Sequence, residues 1–243
     1  MGLSHNPNIV TNGLVLCLDA ANRRSYPGTG TAWTDLSGNG YVGTLTNGPT
    51  FDSRNGGSIV FDGIDDLAQV NHNTILNPTS NGITFGGLFK VNSSPASGYF
   101  PTLINKSDGD WSNGYRIGPT WPYNGTFSVG VSEGSSDGVN RALIISTSTT
   151  PINTWVNIYG TWDAPNKNLK LYFNGIENGS KNTTNSLTIN PISNLELCRY
   201  NRSSLSRYEY ISASIAQFLL YNRALTAGEV LQNYNATRKR FGL

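Results

Sequence analysis

An all-β sandwich closed by one short C-terminal helix is the fold class the sequence predicts, and three observations carry it. Gly, Asn, Ser and Thr are abundant while Lys, Glu and Met are scarce, a mix that supplies turns rather than helices. Short runs with a period of two recur along the chain, as in half-buried strands. A helical pattern occurs convincingly only once, at the end. The 243 residues suit one sandwich domain, which can bury about three quarters of its unfolded surface without disulfides or metal.

The elements follow in order. Residues 1–12 read as a polar arm. Leu14 to Leu18 is a nearly continuous apolar run, fit for a covered strand. Residues 22–49 are dense in Gly and Asn and read as loop, with Trp33 and Leu36 as anchors. Short strands are expected at 58–62, 67–70 and 83–91, where Gly86-Gly87 predicts a bulge or close packing. Further strands are expected near 103–104, 115–117, 126–131 and 142–146. Residues 155–173 alternate on both sides of Asp163-Ala-Pro-Asn, which is turn chemistry, so the stretch predicts a hairpin. Asn174-Gly175 predicts a second tight turn. Strands at 195–199 and 211–221 follow. Thr226-Ala-Gly-Glu229 has the form of a capping box, and Val230, Leu231 and Tyr234 then share one helical face. Arg238-Lys-Arg240 suits a helix C-terminus followed by a solvated tail.

Charge and composition exclude several functions. Only 13% of residues are charged and the net charge is +2, which gives no long-range pull toward nucleic acid or an acidic membrane. No apolar run approaches the roughly 20 residues of a membrane span. The first residues lack the basic head and apolar core of a secretory signal. Cys17 and Cys198 read as buried thiols, and the Asn-x-Ser/Thr triplets as chance in an Asn-rich chain. His5 and His72 have no Ser or Cys in a nucleophile context. Zinc spacing and phosphate loops are absent. The five Glu residues (133, 177, 196, 209 and 229) are scattered.

Five stretches, taken in order, resemble one family. "IVFDGIDDLAQV" (59–70), "ITFGGLFKV" (83–91), "TLINKSDGDWSNGYRIG" (102–118), "TWVNIYGTWDAPNKNLKLYFNGI" (154–176) and "SIAQFLLYNRALTAGEVLQNYN" (214–235) resemble successive strands, hairpin and terminal helix of the laminin-G-like, concanavalin-A-like jelly rolls. The resemblance implies a two-sheet antiparallel jelly-roll sandwich over residues 13–236, between a 1–12 arm and a basic 237–243 tail. It implies that Trp155 and Trp162 are core anchors and that the hairpin carries no reacting group.

The family often holds Ca²⁺ between an acidic turn and an acidic pair in the last strand. Asp62, Asp65 and Asp66 match the turn, but Ala216-Gln217 replaces the pair. Ca²⁺ is therefore not the favoured reading and no other cofactor is expected; Asp62 and Asp65 are instead expected to order a tight turn through backbone hydrogen bonds. Glycanases on this fold use carboxylates at strand spacing; that pattern is missing, and no catalysis is expected. A glycan site needs exposed aromatics beside amides and carboxylates. The candidate is Trp111, Trp121 and Tyr123 with Asp108, Asp110 and Asn113, against the alternative that these aromatics cap the sandwich edge.

The polar arm and the following stretch also resemble the start of single-domain structural proteins of tailed phages. This implies a virion protein, decorating a capsid or fibre, with a major capsid or fibre protein and symmetry-related copies as partners. It would be made in the host cytoplasm and bind neither nucleic acid nor membrane. The alternative is a lectin-like adhesion module that recognises host-surface carbohydrate; a third possibility is an accessory module of a cellular enzyme complex. Leu3, Ile9 and Val10 in the arm, and Phe241 and Leu243 in the tail, have no evident place in the core. One or both ends are expected to be ordered by a partner chain or a symmetry-related copy.

Overall fold

The computed structural model describes residues 7–96, 98–133 and 140–243, without the side chain of Trp111. In chain order its strands are β1 (Leu14–Asp19), β2 (Ala32–Thr34), β3 (Val42–Thr46), β4 (Thr50–Asp52), β5 (Ser58–Asp62), β6 (Leu67–Val70), β7 (Ile83–Val91), β8 (Ile104–Ser107), β9 (Gly114–Pro119), β10 (Phe127–Ser132), β11 (Arg141–Ile145), β12 (Trp155–Asp163), β13 (Asn168–Phe173), β14 (Ile176–Asn182), β15 (Leu195–Leu197), β16 (Arg199–Arg202), β17 (Arg207–Tyr210) and β18 (Ser212–Tyr221). The front sheet runs β14-β13-β12-β7-β18-β5-β4, with β1 beside β18. The back sheet runs β11-β10-β9-β8-β15-β6-β3-β2, and β16-β17 form a separate ribbon. The sheets are antiparallel, and the two-sheet sandwich with one short α-helix is the expected architecture.

Alternation decides what each strand buries. Val156, Ile158, Leu169 and Leu171 of the β12–β13 hairpin face the back sheet, meeting Ile104, Tyr115, Ile117, Val129 and others in the main core. Tyr159 and Tyr172 face outward into a second cluster with Cys17, Leu219, Tyr221 and Val230. That outer face is covered by helix α1 (Ala227–Thr237). The Asn174-Gly175 turn has both residues at positive φ, 50° and 79°, which is the two-residue primed turn. A Cβ on Gly175 would come within 2.8 Å of the Tyr234 ring, so the helix can sit here only over glycine. At Gly86 and Gly87 a Cβ would collide with the Ile158 and Gln217 carbonyls, so close packing is the reason for the pair; the bulge lies on β18 between Ile215 and Gln217, opposite Phe89 and Leu88.

The helix starts as its sequence requires. Glu229 N–H donates to Thr226 Oγ1 (3.3 Å), and Glu229 Oε2 accepts from Thr226 N–H (2.9 Å). Arg223 grips the same carboxylate at 2.7 and 2.9 Å, which holds it well below the ordinary range, at about 2.

Four expectations are corrected. The chain after the helix turns into a 3₁₀ segment, Arg238–Phe241. Phe241 is buried against Leu88 and Ala216, with Trp155 and Leu243 beside it, so the domain itself houses these residues. Arg240 is not simply solvated: its Nη1 lies 3.3 Å from Asp19 Oδ2. In the arm, Val10 is buried, its N–H donates to Asn233 Oδ1 (2.8 Å), and its carbonyl accepts from Tyr221 Oη (2.9 Å). Trp162 is a core anchor, but Trp155 sits outside the core with Phe241 (ring centroids 4.6 Å apart). Leu3 and His5 lie outside the described residues. Cys17 and Cys198 are both free and buried, in different clusters. No described helix is long and apolar enough to cross a membrane.

Candidate functional site

The ribbon β16–β17 lies between β15 of the back sheet and β18 of the front sheet in sequence, and rests on the back sheet's outer face. Tyr115 and Ile117 point into the core, so Arg116 points outward. The Tyr200 ring stacks on its guanidinium at 5.6 Å. Opposite Tyr200 in the ribbon is Glu209, whose side chain is completely buried. Glu209 accepts from Phe100 N–H (2.6 Å) and from Arg207 Nη2 (2.8 Å), with Arg202 at 3.6 Å. A buried carboxylate is tolerable only with such compensation. At the ribbon's base Arg199 pairs with Glu196 and reaches Gln69 Oε1 at 3.3 Å.

Three cavities lie around this ribbon. One, of about 400 Å³, is lined by Tyr99, Tyr208 and Tyr210 with Asp62, Ser93 and Ser94. Arg207 stacks on Tyr99 at 4.4 Å and Arg199 on Tyr208 at 4.5 Å, so both rings are braced. Tyr208 is half exposed. A second, of about 520 Å³, lies among Phe100, Arg116, Arg141, Tyr200 and Arg202. A third, of about 380 Å³, includes Asn105, Asp108, Glu196 and Asn201.

The sequence candidates are split between the two ends of β9, which at six residues spans about 20 Å. Asp108, Asp110 and Asn113 are at the β8 end; Trp121 and Tyr123 are at the β10 end. Asp108 Oδ1 accepts from Ile192 and Ser193 N–H at 3.1 and 3.2 Å, and Asn113 Oδ1 accepts from Asn190 N–H at 3.2 Å. Asp110 accepts from Ser203 and Ser204 at the ribbon tip. Tyr123 donates to the Thr150 carbonyl (2.6 Å) and packs edge-on against Phe127; burial pushes its phenol up to about 12. Trp121 is 41% exposed. The Trp111 side chain lies outside the described residues.

Asp62, Asp65 and Asp66 each bring a carboxylate oxygen within 4.8 Å of the others. They also build their turn: Asp62 Oδ1 accepts from Ile64 N–H (2.7 Å), and Asp66 Oδ2 accepts from Asp62 N–H (3.0 Å). Burial first, and then the neighbouring carboxylates, push Asp66 upward. Ca²⁺ requires six to eight oxygens. Gln217 gives its amide to Asp19 instead, at 3.1 Å, and lies five residues along β18 from Ser212, the partner of Asp62. Asp62 and Asp66, rather than the expected Asp62 and Asp65, spend carboxylate oxygens on the turn, and three carboxylates fall short of a Ca²⁺ cage.

Tyr99, Tyr208, Tyr210 and the arginines around the ribbon escaped the sequence reading. Their signal was the stretch "RYNRSSLSRYEY" (199–210), two four-residue arms around a Ser-rich turn.

The family model described as the concanavalin A-like lectin/glucanases superfamily matches residues 61–231. The chain belongs to this superfamily. No curated protein sequence matches this concanavalin A-like chain. Among solved structures it is similar to the binding domain of Paraclostridial mosquitocidal protein 1, with 21% identity and a TM-score of 0.71, over 93% of this chain and 52% of that one. It is also similar to the binding domain of botulinum neurotoxin DC, solved with rat synaptotagmin II (14%, TM-score 0.69, 94% and 52%). A third neighbour is a structure on the dependence of botulinum neurotoxin type C cell entry on two ganglioside molecules (14%, TM-score 0.69, 93% and 52%). The concanavalin A-like chain thus spans about half the length of these neighbours.

Glucanase chemistry on this fold needs two carboxylates poised at a cleft. Around the ribbon of this concanavalin A-like domain, Glu196 is paired with Arg199, Glu209 is buried among arginines, and Asp108 and Asp110 pin loops. Each is committed to holding structure.

Proposed function

We propose that this is a non-catalytic, glycan-binding module whose site is the tyrosine-lined cavity between the Asp62 turn and the ribbon. The carrying observation is the pair of rings, Tyr99 and Tyr208, each braced by a guanidinium and lining a cavity that also holds a carboxylate and serine hydroxyls. Rigid aromatic faces suit the C–H face of a sugar, and the polar groups suit its hydroxyls. Two of the named neighbours are binding domains and the third comes from a study of ganglioside-dependent cell entry, which supports a binding module over a virion-structural role. A virion setting is compatible with the same chemistry, as a particle-borne module that holds a host-surface sugar.

A glycan array with the full chain tests this. Tyr99→Ala and Tyr208→Ala should each weaken binding about tenfold, equivalent to roughly 1.4 kcal/mol, with melting unchanged for the half-exposed Tyr208. Trp121→Ala runs beside them as the test of the loop aromatics. An array with no bound glycan, or binding indifferent to both tyrosines, sinks the site.

A further inference from the structure

The cavity of about 520 Å³ on the other side of the ribbon has a different chemistry. Its wall carries three guanidiniums, Arg116, Arg141 and Arg202, against one carboxylate, Asp110. Arg116 is fixed in depth: it is 8% exposed and lies under Tyr200. Arg202 is aimed by charge, 3.5 Å from Asp110 and 3.6 Å from Glu209, distances too long for short hydrogen bonds. Its planar donors therefore remain available to a shorter-range acceptor. Glu209 offsets part of this charge from behind the wall, but it is shared with Arg207, which lies outside the cavity and grips it at 2.8 Å, so the guanidiniums still outnumber the carboxylates. The remaining wall is apolar: Phe100, 44% exposed and stacked on Arg202 at 4.9 Å, and Leu143.

A concave site with several guanidiniums and an apolar wall matches an anionic group that offers two or three terminal oxygens and is attached to a carbon skeleton. Guanidinium forks meet carboxylate or sulfate oxygens two at a time, and the volume falls within the range of small-molecule sites. We infer that this cavity binds the acidic group of a glycan, a carboxylate or a sulfate, so that the preferred ligand is an acidic polysaccharide. The inference rests on the glycan-binding role proposed above and assigns that role a second subsite.

The experiment measures retention of the full chain in native gels containing polygalacturonate, a sulfated galactan or a neutral galactan. Flotation with phosphatidylserine vesicles is a fourth arm. Variants are Arg141→Gln, Arg202→Gln and Phe100→Ala, checked by melting, with Tyr208→Ala as the marker of the other cavity. Phe100→Ala guards against misfolding, since the residue is 44% exposed and its N–H bond to Glu209 survives. Expected are retention by one or both acidic polymers that weakens with salt, no comparable retention by the neutral one, and a loss of about tenfold or more in each arginine variant and in Phe100→Ala. Retention by polygalacturonate alone identifies the acid as a carboxylate; retention by the sulfated galactan alone identifies it as a sulfate. Acidic-polymer binding untouched by all three variants overturns the inference. Retention by the neutral polymer alone, lost in Tyr208→Ala, overturns this subsite but keeps the glycan module. Binding to vesicles alone, lost in the arginine variants, gives the cavity to a lipid headgroup and overturns both.

Discussion

Asp110 Oδ2 accepts a 2.7 Å hydrogen bond from Ser203 Oγ, and that contact ties the β8–β9 turn to the tip of the ribbon. Asp110 adopts a left-handed backbone, φ 57°, to make it. Partial burial pushes this carboxyl up, but the bonds from Ser203 and Ser204 outweigh that and hold it below the usual range.

Breaking the tie should loosen the ribbon without unfolding the sandwich. Asp110→Ala is expected to cost about 1 kcal/mol after solvent screening and to speed amide exchange across 199–210 while leaving 155–173 protected. Exchange that rises equally in both segments would show that Asp110 supports the whole fold instead.

Ca²⁺ should be dispensable for folding. Melts in excess chelator and in millimolar Ca²⁺ are expected to coincide, because the carboxylates of Asp62 and Asp66 are spent on their own turn. A rise of many degrees with Ca²⁺ would show tight native-state binding and overturn this.

The last six residues should stabilise the domain. Phe241→Ala is expected to cost about 2 kcal/mol, the scale of burying one large side chain, because the ring is 9% exposed against Leu88 and Ala216. Urea titration at neutral pH measures it. An unchanged midpoint would mean that the contact contributes nothing.

Glu229 should make part of the stability acid-sensitive. Its folded pKa of about 2 lies below the ordinary 4.5, so the unfolded chain binds the proton first. The contribution is complete above 4.5 and fades as pH falls toward about 2. Glu229→Gln should cost about 1 kcal/mol at pH 7, and the gap should close near pH 2. A gap that persists in acid would assign the effect to packing.

No reducing ends should appear when the protein is incubated with β-glucans or galactans. Turnover lost in Asp108→Asn or Asp110→Asn would contradict the structural roles given to those carboxylates.

Local rules made much of the fold legible. The period of two placed the β12–β13 hairpin, Asn174-Gly175 gave its turn, and Thr226 to Glu229 gave the helix start. Strands β2 to β4 were hidden, because three- and five-residue strands such as Ala32–Thr34 and Val42–Thr46 carry too few alternations among so many glycines. Phe241 was misjudged because its partners, Leu88 and Trp155, are distant in sequence. The site was harder still. Asp108 to Tyr123 look like one cluster along the chain, yet β9 drives its ends apart. Tyr99 and Tyr208 look unrelated, yet they share a cavity. The only local clue was the mirrored Arg-Tyr arms at 199–200 and 207–208.

Residues 8–10 and 241–243 settle on the outer face of the front sheet, against the helix or its neighbouring strands, while the ribbon rides on the outer face of the back sheet. The core thickness of about 10 Å separates the two. The molecule therefore has a mounting side and a presenting side. A tether at the C-terminal end, whether to another domain, a particle or a sensor surface, would attach behind the sandwich and leave the ribbon facing outward. Copies fixed in a row by that end would present their tyrosine and arginine cavities in parallel, so that weak single contacts could add up along one polymer chain.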